Sequence, residues 1–151
     1  MSIFLSCVLV KLCFYGLIRV YLIIGGEVLV LPFIFFIGVG IFDVAARLVV
    51  QIDLKAVAAY GSVLHINLLV LLFLIDTNVL SNGLILYVWG HSYATAGLFF
   101  VINLIERVSG SRLTYELSGL YASNSLVSVL VIYAVIAFLE FPLNFFFWGE
   151  L

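Results

Sequence analysis

Five apolar runs, each long enough to cross a bilayer, take up nearly all of this 151-residue chain. A spanning helix needs about 20 apolar residues. The runs cover 3–24, ending at Gly25-Gly26-Glu27; 28–50, followed by Gln51-Ile52-Asp53-Leu54-Lys55; and 56–75, stopped by Asp76-Thr77-Asn78. A fourth covers 80–105 before a polar connection from Glu106 to Glu116, and the fifth covers 123–151 and contains Pro142. A lipid-exposed strand would need a closed barrel, and these runs lack the alternation of barrel strands, so all five are expected to be helices. The expected fold is all-α, a single polytopic membrane domain over 1–151. Its last helix should break near Pro142, where a backbone donor is lost and the ring clashes with the preceding turn. Broken spanning helices tend to line a wet cavity or an ion site.

Composition excludes the main alternatives. With 66% hydrophobic and 9% charged residues, the chain has no polar shell to cover an apolar core, so its outer surface must face lipid or protein. Six basic residues without a basic run leave no electrostatic footprint for nucleic acid. The first run continues past Lys11 to Arg19 and lacks a signal peptide's basic start and small-residue cleavage site. Cys7 and Cys13 lie in that same run with no zinc-like spacing, and they read as buried free thiols.

Short connections impose an up-down order, so alternate loops share a face. One face receives Lys55, Arg107 and Arg112, with Arg47 close by; the other receives Arg19, Glu27 and Asp76. The positive-inside rule assigns the first face, and the N-terminus with it, to the cytoplasm or matrix, and the C-terminus to the opposite side.

The informative residues are the polar ones inside the runs. Lys11 stands about halfway along the first, where an ammonium costs about 2.5–3.5 kcal/mol even on the lenient insertion scale. It reads either as a proton-exchanging group or as the static partner of a carboxylate. His65 and His91 sit mid-run in the third and fourth segments, at matching depth. One such histidine suits a satisfied core position; two beside a lysine suit a proton path, since imidazole exchanges protons near neutral pH. Two histidines on different helices, without a nearby carboxylate or thiolate, make a poor metal site. Arg19 reads as a snorkelling anchor, and Asp43 with Arg47 as a helical i,i+4 pair near the membrane edge. Position alone leaves Glu150 as a solvated end residue.

An ordered series of motifs then carries a resemblance: Lys11-Leu12-Cys13-Phe14-Tyr15-Gly16-Leu17-Ile18-Arg19; Asp53-Leu54-Lys55 with Ala59-Tyr60-Gly61-Ser62-Val63-Leu64-His65; His91-Ser92-Tyr93-Ala94-Thr95-Ala96-Gly97-Leu98-Phe99; Glu106-Arg107; and Pro142 to Gly149-Glu150-Leu151. In order and spacing it resembles the subunit 4 family of mitochondrial proton-pumping NADH:ubiquinone oxidoreductase, respiratory complex I. The wider group includes the antiporter-like subunits of complex I and of cation/proton antiporters. The resemblance implies a hydrated chain of lysine, histidine and acid at mid-membrane depth. Lys11 matches the lysine, His65 and His91 the histidines, and Glu150 the acid after the broken helix.

Further implications follow from the same likeness. The chain would be a multi-pass protein of the mitochondrial inner membrane, relaying protons while quinone is reduced elsewhere in the enzyme. It would carry no cofactor itself, with NADH, FMN, iron-sulfur clusters and ubiquinone in partner subunits. Its partners would be other membrane-arm subunits and lipids, with no nucleic acid. The resemblance covers about half of an antiporter-like subunit, its middle-to-late helices. The expectation is a split subunit completed by separate chains; a non-functional remnant is the other explanation. Departures are Gly61 and Leu64 where the family tends to have serine, the Asp43/Arg47 pair, and Glu140 where a small residue is usual. Glu140 is a possible additional titrating acid. Two other function classes stand beside the relay: a cation/proton antiporter component without redox chemistry, and a structural membrane spacer.

Overall fold

The structure is a computed structural model and describes residues 4–24, 30–75, 82–117 and 124–139. Within them the chain is helical. A π-helical turn, Leu5–Leu9, runs directly into α1 (Val10–Ile24), followed by α2 (Val30–Val50), α3 (Leu54–Ile75), α4 (Asn82–Ser109), a 3-10 turn (Thr114–Leu117) and α5 (Ser125–Phe138). The first four are long and apolar enough to cross a membrane: Ser6–Ile23, Val30–Val50, Leu54–Ile75 and Gly83–Ser109.

Local chemistry sets the helix ends. Pro32 falls in the first turn of α2, where its missing N–H leaves no bond unmade. Asp53 caps α3 by accepting the Lys55 backbone N–H at 3.0 Å, so this helix starts two residues before the expected 56. The fourth helix passes the expected end at 105 and runs on through Glu106 and Arg107 to Ser109. It stops at Gly110, whose φ of +75° lets its N–H reach the Glu106 carbonyl at 3.0 Å. Charge at 106 and 107 suggests a loop there, but Glu106 has Lys55 and Arg112 to pair with, and its backbone stays helical.

The fifth run is described only as far as residue 139. Its helix ends at Phe138, and the Leu139 N–H closes the last turn on the Val135 carbonyl at 2.9 Å. Fourteen residues span only about 21 Å, short of the roughly 30 Å hydrocarbon core. The expected helix over 123–151, broken near Pro142, extends past the described residues; within them α5 stops at Phe138, four residues before Pro142. A proline at 142 has no N–H to give the Phe138 carbonyl, which fits this stopping point. Glu140, Pro142 and Glu150 lie outside the described residues.

Packing follows the logic of helices in lipid, where close contact and hydrogen bonds replace the hydrophobic drive. Small residues fill the contacts: Ala58, Gly61 and Ser62 on α3, Ala94 and Thr95 on α4, and Ser128, Ala134 and Ala137 on α5 are all buried. A larger cluster joins α1, α3 and α4 through Phe14, Leu69, Phe73, Leu74 and Tyr87, with Ile34 and Ile37 of α2 against it. Phe73 meets Phe14 and Tyr21 edge-on, at centroid distances of 5.8 and 5.1 Å. The faces left over are apolar and open: Leu31, Phe42 and Val49 are each more than 80% exposed. Cys13 belongs to that outer face. Both cysteines are free, but only Cys7 is half-buried, so the expectation of two buried thiols is corrected. Residues 10, 11, 14, 17, 18 and 21 form the inward stripe of α1, and position 13 falls off it.

Two loops meet at one end of the bundle. Leu54 N–H donates to the Arg112 carbonyl at 3.2 Å and Thr114 N–H to the Ile52 carbonyl at 3.1 Å, making an isolated antiparallel bridge between Asp53 and Leu113. The basic residues Lys55 and Arg112 thereby share a face, as the up-down order requires.

Candidate functional site

The site is built where α1, α3 and α4 cross at mid-height. His65 is about 16 Å along α3 from Leu54, half of that helix's roughly 33 Å. His91 of α4 lies opposite, 1% exposed, with the two ring centroids 5.8 Å apart and the planes at 64°. Tyr87 and Thr95, four residues either side of His91 and so on the same face of α4, are fully buried. Tyr87 Oη donates to the His65 carbonyl at 3.2 Å; Thr95 Oγ1 donates to the His91 carbonyl at 2.7 Å. The Tyr87 hydroxyl ties the two imidazole-bearing turns together, and Thr95 extends the polar layer along α4.

Lys11 approaches this layer from α1. Its Nζ donates to the Ser6 carbonyl at 2.6 Å, within the π-helical turn that precedes it. That turn is held to α4 by Cys7, whose Sγ donates to the Ser92 carbonyl at 3.4 Å and lies 3.4 Å from Thr95 Oγ1. Single π turns inside helices recur at functional sites. Lys11 and His91 line one small cavity of about 10 Å³, with Val10, Phe14, Ile66, Leu69 and Val88 completing it. This is close to the least space that admits one water. On its other side Lys11 borders a wider groove of about 200 Å³ between α1 and α4, walled by Phe14, Tyr15, Ile18, Val88 and Trp89 among others.

Of the expected site residues, the structure brings Lys11, His91 and His65 together, while Glu150 and Glu140 lie outside the described residues. None of the ion pairs among the described residues involves Lys11. They are Arg47–Asp43 at 2.9 Å, Lys55–Glu106 at 2.5 Å and Arg112–Glu106 at 3.6 Å. Among those residues no three of His, Cys, Asp and Glu lie close enough to share a metal ion. Arg19 turns onto its own helix, with Nε donating to Tyr15 Oη at 2.8 Å and the guanidinium 5.3 Å from the ring centroid.

Sequence reasoning missed three elements. The Tyr87–His91–Thr95 stripe was visible as an i, i+4, i+8 series. The Cys7 link to α4 and the placement of Phe138 against His65, centroids 4.9 Å apart, are tertiary and had no local signal.

The family described as NADH:quinone oxidoreductase/Mrp antiporter, TM, matches residues 1–151, the whole chain. The chain belongs to this family. Among its relatives, NADH-ubiquinone oxidoreductase chain 4 of Wickerhamomyces canadensis is 30% identical over 155 residues, covering 99% of this chain and 30% of that protein. The protein of the same name from Mytilus edulis is 35% identical over 115 residues, covering 74% and 26%. That from Dictyostelium citrinum is 30% identical over 163 residues, covering 99% and 37%. The chain therefore spans about a third of the length of the curated relatives it matches.

Proposed function

We propose that this chain is part of a proton-translocating membrane-arm subunit of NADH:ubiquinone oxidoreductase, with Lys11, His91 and His65 as consecutive stations of its proton path. The observation that carries the proposal is the shared water-sized cavity of Lys11 and His91, with the second imidazole one ring contact further on. In this path a Lys11 ammonium that turns from the Ser6 carbonyl toward His91 releases its proton to the imidazole through water. The proton then passes to His65 by ring reorientation or a further bridging water, each imidazole accepting on one nitrogen as it donates from the other. Glu150, with Glu140 as a second candidate, receives it beyond α5.

NADH, FMN, iron-sulfur clusters and ubiquinone belong to partner subunits in this reading. The remaining length of the subunit comes from further helices, on separate chains where the gene is split, and the membrane is the mitochondrial inner membrane. The shared name of the relatives favours this reading over a redox-free antiporter component.

The test is to replace His65, His91 or Glu150 by Gln and measure proton translocation and NADH oxidation per assembled complex. A relay predicts loss on the order of 100-fold at each histidine. A structural spacer predicts changed assembly with translocation and turnover per complex intact.

A further inference from the structure

Phe138 ends α5 with its ring set edge-on to His65, centroids 4.9 Å apart and planes at 85°. The imidazole therefore meets two rings edge-on, Phe138 at 4.9 Å and His91 at 5.8 Å. The phenyl ring can take this position only because of what lies under it. A Cβ at Gly61 would stand 2.7 Å from Phe138 Cε1 and 2.8 Å from Cζ, well inside contact distance. Gly61 is one helical turn before His65 on the same face of α3, so one missing side chain creates the seat for the ring that abuts the imidazole. This gives a local reason for glycine at a position where the resemblance leads one to expect serine. The atoms that would clash are the far end of the ring, so a side chain at 61 displaces the ring and leaves the backbone in place.

We propose that Phe138, seated on Gly61, is a positioning residue that holds the His65 imidazole turned toward His91. This rests on the proton-path reading of His65. Among the described residues, His91 meets the His65 ring, the Tyr87 hydroxyl of α4 bonds the His65 backbone carbonyl, and Lys11 of α1 borders a cavity together with His91.

The test compares Gly61→Ser, Phe138→Leu, Phe138→Tyr and the double variant Gly61→Ser with Phe138→Leu, in membranes carrying the assembled complex, with His65→Gln as reference. The readout is protons translocated per assembled complex. Gly61→Ser and Phe138→Leu should each lose roughly tenfold, since a reacting group has been misplaced by a fraction of an ångström to an ångström. Phe138→Tyr keeps the ring edge and should retain native translocation. The double variant should be no worse than Phe138→Leu alone, because with the ring gone nothing contests the serine Cβ. Native translocation in both single variants, where His65→Gln abolishes it, overturns the positioning role. So does a double variant that shows the two losses multiplied. Full translocation in His65→Gln removes the proton-path reading itself, and the positioning role falls with it.

Discussion

Two lysines of this chain face different surroundings, and the difference separates a residue that holds structure from one proposed to pass protons. Lys55, at the loop end of the bundle, meets a carboxylate at 2.5 Å, and Arg112 reaches the same Glu106 from the other side at 3.6 Å. Its neighbourhood is pinned further by the backbone bridge between Asp53 and Leu113. Lys11, at mid-height, has a backbone carbonyl at 2.6 Å and a water-sized cavity shared with an imidazole. A carboxylate partner fixes the proton on an amine; a neutral acceptor leaves it transferable. The loop end is thus built to hold two connections together, and the middle suits the proposed proton path.

Four substitutions would break or sharpen that contrast. The largest effect is expected at His91→Gln, which keeps a polar side chain of similar reach but removes proton exchange. Translocation per assembled complex should drop on the order of 100-fold, and a drop of less than twofold would place His91 with the holding residues. Gly110→Ala forces a β-carbon into a left-handed backbone at the end of α4, and should lower thermal stability of the complex by about 1 kcal/mol with translocation per complex unchanged. Tyr87→Phe removes the hydroxyl bonded to the His65 carbonyl and should cost about 1 kcal/mol. Because that hydroxyl belongs to the polar layer, a fall in translocation without a fall in stability would move Tyr87 from holding to transfer. The smallest effect is expected at Asp43→Asn: the Asp43–Arg47 pair is exposed on α2, and Arg47 lies in the last turn, where its long side chain reaches the membrane edge, so assembly and translocation should both be indistinguishable from native.

Much of this contrast was legible before any coordinates. A lysine halfway along an apolar run, and histidines at matching depth in two others, stand out because lipid tolerates so few charges. The positive loops predicted that Lys55 and Arg112 would share an end, and the Asp53–Leu113 bridge puts them there. Other features were hidden for physical reasons. Apolar residues resume on both sides of Glu140, with Phe138 and Leu139 before it and Phe141 after, so mean hydropathy could not show that the fifth helix stops at Phe138. Glu106 looked like loop because charge usually marks helix ends, yet pairing with Lys55 keeps it on α4. Cys13 looked buried because the whole run is apolar; only the stripe of α1 that meets α3 and α4 decides which residues turn inward. Gly61 drew notice only as a departure from the family pattern, and its reason is a ring from a helix more than 60 positions away in sequence.

The most direct measurement of the central claim is proton translocation in sealed membranes carrying the assembled complex with Lys11→Ala, set beside Lys55→Ala. The account predicts that Lys11→Ala abolishes translocation while the complex still assembles, and that Lys55→Ala weakens assembly while each assembled complex translocates as before. Native translocation in Lys11→Ala, or its selective loss in Lys55→Ala, would contradict it.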